Sequence, residues 1–199
     1  KGKIMNRDNL LRQWLPESIS LNPIGRDAGN IWIEEFGENY LKFFDSIMEI
    51  QKADISSLKG FGELDENNQP QYATFHEYLT GTFADDREDY WKNWRELFDT
   101  SMMTKEFFET YYEKMLHYSK YCENQRYFTN NSLFFGNMVI MENSVGFLDW
   151  SRAAVTDWLI DFACIDLHRP YFLIPEKLVP YFKEKGIVVE NFKERFLCM

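Results

Sequence analysis

Asn137 and Asp149 are the residues whose types and placement suggest chemistry. Each flanks a short apolar, β-like segment. Met138 to Met141 follows the amide, and Val145 to Leu148 precedes the carboxylate. The turn residues Asn143 and Ser144 lie between them, so the spacing predicts a hairpin. Its open ends then sit side by side, and an amide oxygen converges with a carboxylate. Such donors suit magnesium, which takes one or two carboxylates with phosphate oxygens and water. A second reading stays open at this point: Asn137 caps a turn and Asp149 caps the segment after it.

The elements that must position this pair read as mostly helical. Asn6 to Trp14 is predicted as a short helix capped by Asn6, and Ser18 to Gly25, with two prolines, as a loop. From Asp27 to about Ala53, Ile33, Phe36, Tyr40, Phe43, Phe44, Ile47 and Ile50 recur at helical spacing, so one face of a long helix is apolar. "SSLKGFGELDENNQPQY" has turn chemistry and reads as a long polar loop. Thr74 caps a short helix through Gly81, and Asp86 to Thr100 reads as a second. Thr104 caps a third, with Phe107, Phe108, Tyr111, Met115 and Tyr118 expected inward. Arg126 to Thr129 is β-like. Helices follow from Asp157 to Leu167, from Pro175 to Gly186, and from Glu190 onward. The expected class is therefore mainly α with a small β-hairpin element, an α+β chain.

Composition narrows the function classes. In 199 residues, 45% hydrophobic and 18% aromatic content supplies a well-buried core for one domain and argues against disorder. A net charge of −10 disfavours nucleic acid and anionic membrane as partners and suits a cationic ligand. Cys122, Cys164 and Cys198 are odd in number and lack metal-ligand spacing, so they read as reduced thiols of a cytoplasmic protein. No apolar run reaches the length of about 18 residues that marks a membrane span. The chain opens at Lys1 and stops at Met199 directly after an apolar helical pattern, so it is expected to be part of a longer protein.

"NNSLFFGNMVI…VGFLDW" resembles the catalytic and metal-binding segment of the aminoglycoside phosphotransferases, antibiotic kinases related to protein kinases. That family carries His-Gly-Asp, four residues, Asn, and a later strand ending Ile-Asp-Trp. Here the asparagine falls on Asn137 and the Asp-Trp on Asp149 and Trp150. "AVTDWLIDFA" is similar to the family's acidic helix start, with Asp157 and Asp161 in the acidic positions. "ADISSLKGFGELDENNQPQYATFHEYL" and "HRPYF" resemble segments of the hygromycin B branch, and "KGKIMNRDNL" resembles the exit from the nucleotide-binding lobe. The resemblance implies that residues 1–199 form a single C-terminal, substrate-binding lobe without its N-terminal nucleotide-binding lobe. It implies ATP and Mg²⁺ as cofactors of the full-length protein. The partner it implies is a cationic small molecule such as an aminoglycoside.

The same alignment puts the family's catalytic aspartate on Ser132, its histidine on Asn130 and its glycine on Asn131. An alcohol cannot take a proton as a carboxylate does, so transfer is expected to be impaired. A binding module that keeps the fold without catalysis is the alternative. The resemblance makes Asn137 and Asp149 the metal ligands. Asp161, Asp166 and Trp150 become substrate-binding candidates, and Asp157 a structural residue that caps a helix and anchors the catalytic loop. Asp85, Asp86, Glu88 and Asp89 read either as helix-dipole partners or as an acidic wall. His76, His117 and His168 read as surface or packing residues, and Arg152 as a surface residue or a phosphate contact.

Overall fold

The computed structural model describes residues 28–88 and 92–199, with side chains from residue 39 onward. The expected Asn6 helix, the Ser18–Gly25 loop, Asp89 and Trp91 lie outside the described residues, as do the side chains of Ile33 and Phe36.

Helix α1 (Ala28–Ile50) buries Phe43, Phe44 and Ile47, each at most 1% exposed, on the face that the apolar spacing marks. These rings meet Phe162 and Tyr181 edge to face, at centroid distances of 5.2 to 5.9 Å. The contacts join α1 to α5 (Leu159–His168) and α6 (Ile174–Lys185) in one core. Helix α2 (Phe75–Thr82) starts on a capping box, in which the Thr74 hydroxyl accepts from Glu77 N and the Glu77 carboxylate from Thr74 N. Helix α3 (Leu97–Thr100) is a single turn, and α4 (Lys105–Ser119) is capped by Thr104 as expected. Helix α6 ends at Gly186, whose φ of +66° suits a residue without Cβ.

Two expectations about this region are corrected. Residues 86–88 are not helical, and Asn93, at φ +59°, breaks the path before the short turn at Trp94–Glu96. On α4, Phe107 and Tyr111 are 57% and 55% exposed and pack on each other with their rings tilted, with the Lys114 ammonium over Tyr111. The other expected residues do pack inward: Phe108 stacks on Tyr112 and packs on Trp94, and Met115 and Tyr118 pack on the cluster of Phe61, Phe75, Cys122 and Cys198. The aromatic residues Phe107, Phe108, Tyr111 and Tyr112 spread over a wide arc of α4, so periodicity alone does not choose which of them are buried.

The β-structure is larger than one hairpin. The expected hairpin exists as β4 (Met138–Ile140) and β5 (Val145–Phe147), paired Met138↔Phe147 and Ile140↔Val145. A second, four-stranded antiparallel sheet is ordered β2-β1-β6-β3, from β1 (Phe61–Leu64), β2 (Pro70–Tyr72), β3 (Tyr127–Thr129) and β6 (Ala154–Thr156). The long polar loop therefore holds two strands. Their turn is fixed by Asp65, whose carboxylate accepts from Asn67 N and Gln69 N, and by Asn68 at φ +58°. Strands of three or four residues are too short to show alternation. Gly60 and Gly62 have φ of +92° and +101°, and a Cβ on Gly60 would lie 2.1 Å from the Tyr72 carbonyl oxygen. No described helix is long and apolar enough to cross a membrane.

Helix α7 (Phe192–Cys198) is fastened to the start of α5 by a buried ion pair. The Arg195 guanidinium donates Nε to one Asp157 oxygen at 2.6 Å and Nη2 to the other at 2.8 Å. Both residues are at most 3% exposed. Asp157 Oδ1 also accepts from Leu159 N, at the first residue of α5, at 3.0 Å. Removing one partner strands a buried charge. Arg195→Met is therefore expected to cost about 3–5 kcal/mol of unfolding free energy in urea denaturation, and the double variant Asp157→Leu, Arg195→Met to recover most of it.

Candidate functional site

Strand β3 ends at Thr129, and the chain turns at once into Asn130, Asn131 and Ser132. Strand β6, its neighbour, begins two residues after Arg152. The register Thr129↔Ala154 and Glu63↔Ala154 brings three segments together: the 130–132 loop, the 149–152 loop and β1. This sheet, absent from the sequence reading, is what assembles the site.

The loop is held from below. Asp161, on the first turn of α5 and 1% exposed, accepts from Asn130 N at 3.1 Å and Asn131 N at 2.8 Å, one amide per carboxylate oxygen. Burial pushes its pKa up to about 7, against the pull of the two amides. Expected as a substrate contact, Asp161 instead lies under the loop with both oxygens engaged. It performs the anchoring that the sequence reading gave to Asp157.

Asn130 is fully buried, and its Nδ2 donates to Leu148 O at 3.4 Å and Asp149 O at 3.1 Å. It thus clamps the 130–132 loop to the end of β5. Asn131 sits at φ +59°, the left-handed region that asparagine tolerates. Its Nδ2 contacts Tyr78 Oη at 3.2 Å and Glu63 Oε1 at 3.4 Å. Burial pushes the Tyr78 phenol up to about 12, so it stays protonated. Ser132 is half-buried, and its hydroxyl makes no hydrogen bond among the described residues.

At the hairpin's open end, Leu148 N donates to Asn137 O at 2.7 Å, so the chain at Asn137 adjoins that at Asp149 as the spacing requires. Asn137 is 1% exposed, and its amide nitrogen has no partner. Asp149 is exposed at φ +55°, and one carboxylate oxygen accepts from Ser151 Oγ at 2.7 Å. One amide and one carboxylate form a donor set suited to magnesium. Among the described residues, no group of three His, Cys, Asp or Glu side chains is placed to hold a metal by itself.

Other candidates are placed differently. Trp150, 37% exposed, stacks flat on Phe128 at 5.4 Å and donates Nε1 to Phe147 O. Asp166 accepts from Ile174 N and so caps α6, apart from the loop cluster. Asp85 pairs with Arg95, and Glu88 with Lys92 at 2.6 Å. His76 approaches Ser119 Oγ at 3.3 Å, and His168 meets the Phe134 ring. Sequence reasoning missed Glu63, whose Oε1 accepts from Arg152 Nε at 2.9 Å and Nη2 at 2.6 Å. Arg152 thereby ties the 149–152 loop to β1. No signal marked Glu63, because its strand was read as loop.

No protein-family model and no curated protein matches the sequence. Solved structures do. Aminoglycoside phosphotransferase APH(4)-Ia superposes with a TM-score of 0.60 at 18% identity, over 83% of this chain and 55% of that one. A thermostable mutant in ternary complex with AMP-PNP and hygromycin B gives 0.61 at 18%, over 83% and 55%. The mutant complex with ADP and hygromycin B gives 0.59 at 19%, over 81% and 54%. The chain has the kinase-like fold of these phosphotransferases, in its C-terminal lobe. It spans about half the length of the structures it matches.

The Asp161 anchor is testable. Asp161→Ala leaves two buried amides unpartnered and is expected to cost about 1–3 kcal/mol for each in urea denaturation. Asp161→Asn keeps one acceptor oxygen and should lose about half as much.

Proposed function

We propose that this chain is the substrate-binding and catalytic-loop lobe of an aminoglycoside phosphotransferase-like protein. The full-length protein would transfer the γ-phosphate of ATP to a hydroxyl of an amino-sugar or similar small molecule. One observation carries the reading. Asp161 and Asn130 lock the 130–132 loop against the end of the β4–β5 hairpin, so Ser132, Asn137 and Asp149 share one region.

In this reading Asn137 and Asp149 hold Mg²⁺, which when bound neutralises phosphate charge. Asn130 and Asp161 position the loop. Ser132 stands where the family's base stands and can hydrogen-bond the substrate hydroxyl without removing its proton. Trp150 remains a candidate wall of the substrate cleft. Support comes from the fold and from the nucleotides and hygromycin B in the neighbours' complexes. Ser132 also favours a second reading, a small-molecule-binding module without catalysis, because the missing carboxylate removes chemistry and leaves the scaffold whole.

Residues 1–199 with Mg·ATP are expected to give no robust phosphorylation of hygromycin B in a radiolabelled phosphate-transfer assay. In the full-length protein, Ser132→Asp is expected to raise the transfer rate by about 10²–10⁴-fold, the usual contribution of a positioned base. An unchanged rate would remove Ser132 from the base position. A thermal shift with Mg·ATP and then with aminoglycosides, without transfer in either protein, would favour the binding module.

A further inference from the structure

Cys122 and Cys198 are far apart in sequence and meet in the fold. Cys122 stands in the turn after α4, where its N–H donates to Ser119 O at 2.8 Å and its carbonyl accepts from Gln125 N at 2.9 Å. Cys198 is the last residue of α7, which packs along α4. The two side chains share one small cluster with Phe61 and Phe75, and are 0% and 2% exposed. Met115, Tyr118 and Met199 pack against it. Cys164 packs against the other, larger core and is only half-buried.

Both thiols are free. The Cys198 thiol donates to Met115 O at 3.4 Å, and the Cys122 thiol hydrogen-bonds Cys198. That hydrogen bond, and burial after it, push the Cys122 thiol up, so Cys122 rests protonated. A disulfide needs two sulfurs whose backbones already hold them side by side. Here the turn at Cys122 and the helix at Cys198 do so. The cross-link would close a loop of about 75 residues, and constraining so long a loop removes much entropy from the unfolded chain. It would also fasten α7, which carries Arg195, at a second point besides the Asp157 pair.

We infer that Cys122 and Cys198 are an oxidative modification site, at which a low-molecular-weight disulfide converts the pair into an intramolecular disulfide that fastens α7 to the turn after α4. One protein thiolate attacks the oxidant, displaces one of its thiolates and forms a mixed disulfide. The second protein thiolate attacks the protein sulfur of that bond, and the other half of the oxidant leaves. The two protein protons end on the two released thiols, and the two electrons have reduced the oxidant. Both sulfurs are buried, so the first attack waits on an opening of α7, and exchange takes hours rather than seconds. The inference is independent of the proposed function.

The test is overnight incubation of fully reduced residues 1–199 with excess oxidised glutathione under native conditions. The reaction is quenched with N-ethylmaleimide in denaturant, digested with trypsin without reduction and mapped by mass spectrometry. Trypsin cuts after Lys120, Arg126 and Arg195, so Cys122 and Cys198 leave on peptides 121–126 and 196–199. The expected product is these two peptides joined, two hydrogens lighter than their sum, with Cys164 in neither. The oxidised chain is expected to unfold at a urea midpoint roughly 1–2 M above that of the reduced chain. Cys198→Ser, which keeps a small polar side chain, should abolish both the joined peptide and the rise. Recovery of Cys122 and Cys198 only as maleimide or glutathione adducts overturns the inference. So does a link from either of them to Cys164 as the main product, or a joined chain whose midpoint is no higher than the reduced one. An equal rise in Cys198→Ser overturns it too, because the stabilisation would then come from elsewhere.

Discussion

The site depends on one buried carboxylate satisfying two backbone amides. Asp161 holds Asn130 N and Asn131 N, and so fixes the turn that leaves β3. Without it, two N–H groups would be buried with no acceptor, and the loop would have no reason to keep its shape. The segments around the turn are tied to it. The Asn130 side chain reaches across to Leu148 and Asp149, and the Asn131 side chain to Glu63 and Tyr78. Asp161 is itself immobile because α5 is packed on the aromatic core through Phe162 and clamped at its start by Asp157 and Arg195.

The helical frame was legible because its signals are local. The capping pattern at Thr74, the apolar spacing of Phe43, Phe44 and Ile47, and the stop at Gly186 each act within a turn or two of chain. The β4–β5 hairpin was legible for the same reason, since Asn143 and Ser144 sit between two apolar runs. The four-stranded sheet was not. Its strands have three or four residues, and β1 meets β6 across some ninety residues of sequence. Such pairing is decided by tertiary contact, and the polar turn at Asp65 hid the strands on either side. With the sheet went Glu63, and with Glu63 the partner of Arg152.

The exchange of roles between Asp157 and Asp161 has a similar origin. The two lie four residues apart around the start of one helix, and both are acidic. Spacing cannot say which one faces the loop and which one faces α7. Only the position of Arg195, contributed by the last helix, decides it. A guanidinium at 3% exposure demands a carboxylate, and Asp157 is the one it pairs with. Asp161 is then left to the amides.

If Asn130, Asn131 and Ser132 occupy the proposed His-Gly-Asp positions, the three differences are not equivalent in physical terms. Asn130 supplies a side-chain donor that binds the Leu148 and Asp149 carbonyls, so the loop stays tied to the end of the β4–β5 hairpin. Asn131 takes a left-handed conformation that few residues other than glycine accept, and it adds contacts that glycine could not make. Both changes keep the architecture. In the proposed alignment, Ser132 alone replaces a carboxylate by an alcohol, at the one position of the three whose side chain has no hydrogen-bond partner among the described residues. The loop keeps its form because Asp161 and two asparagines hold it, whatever stands at 132.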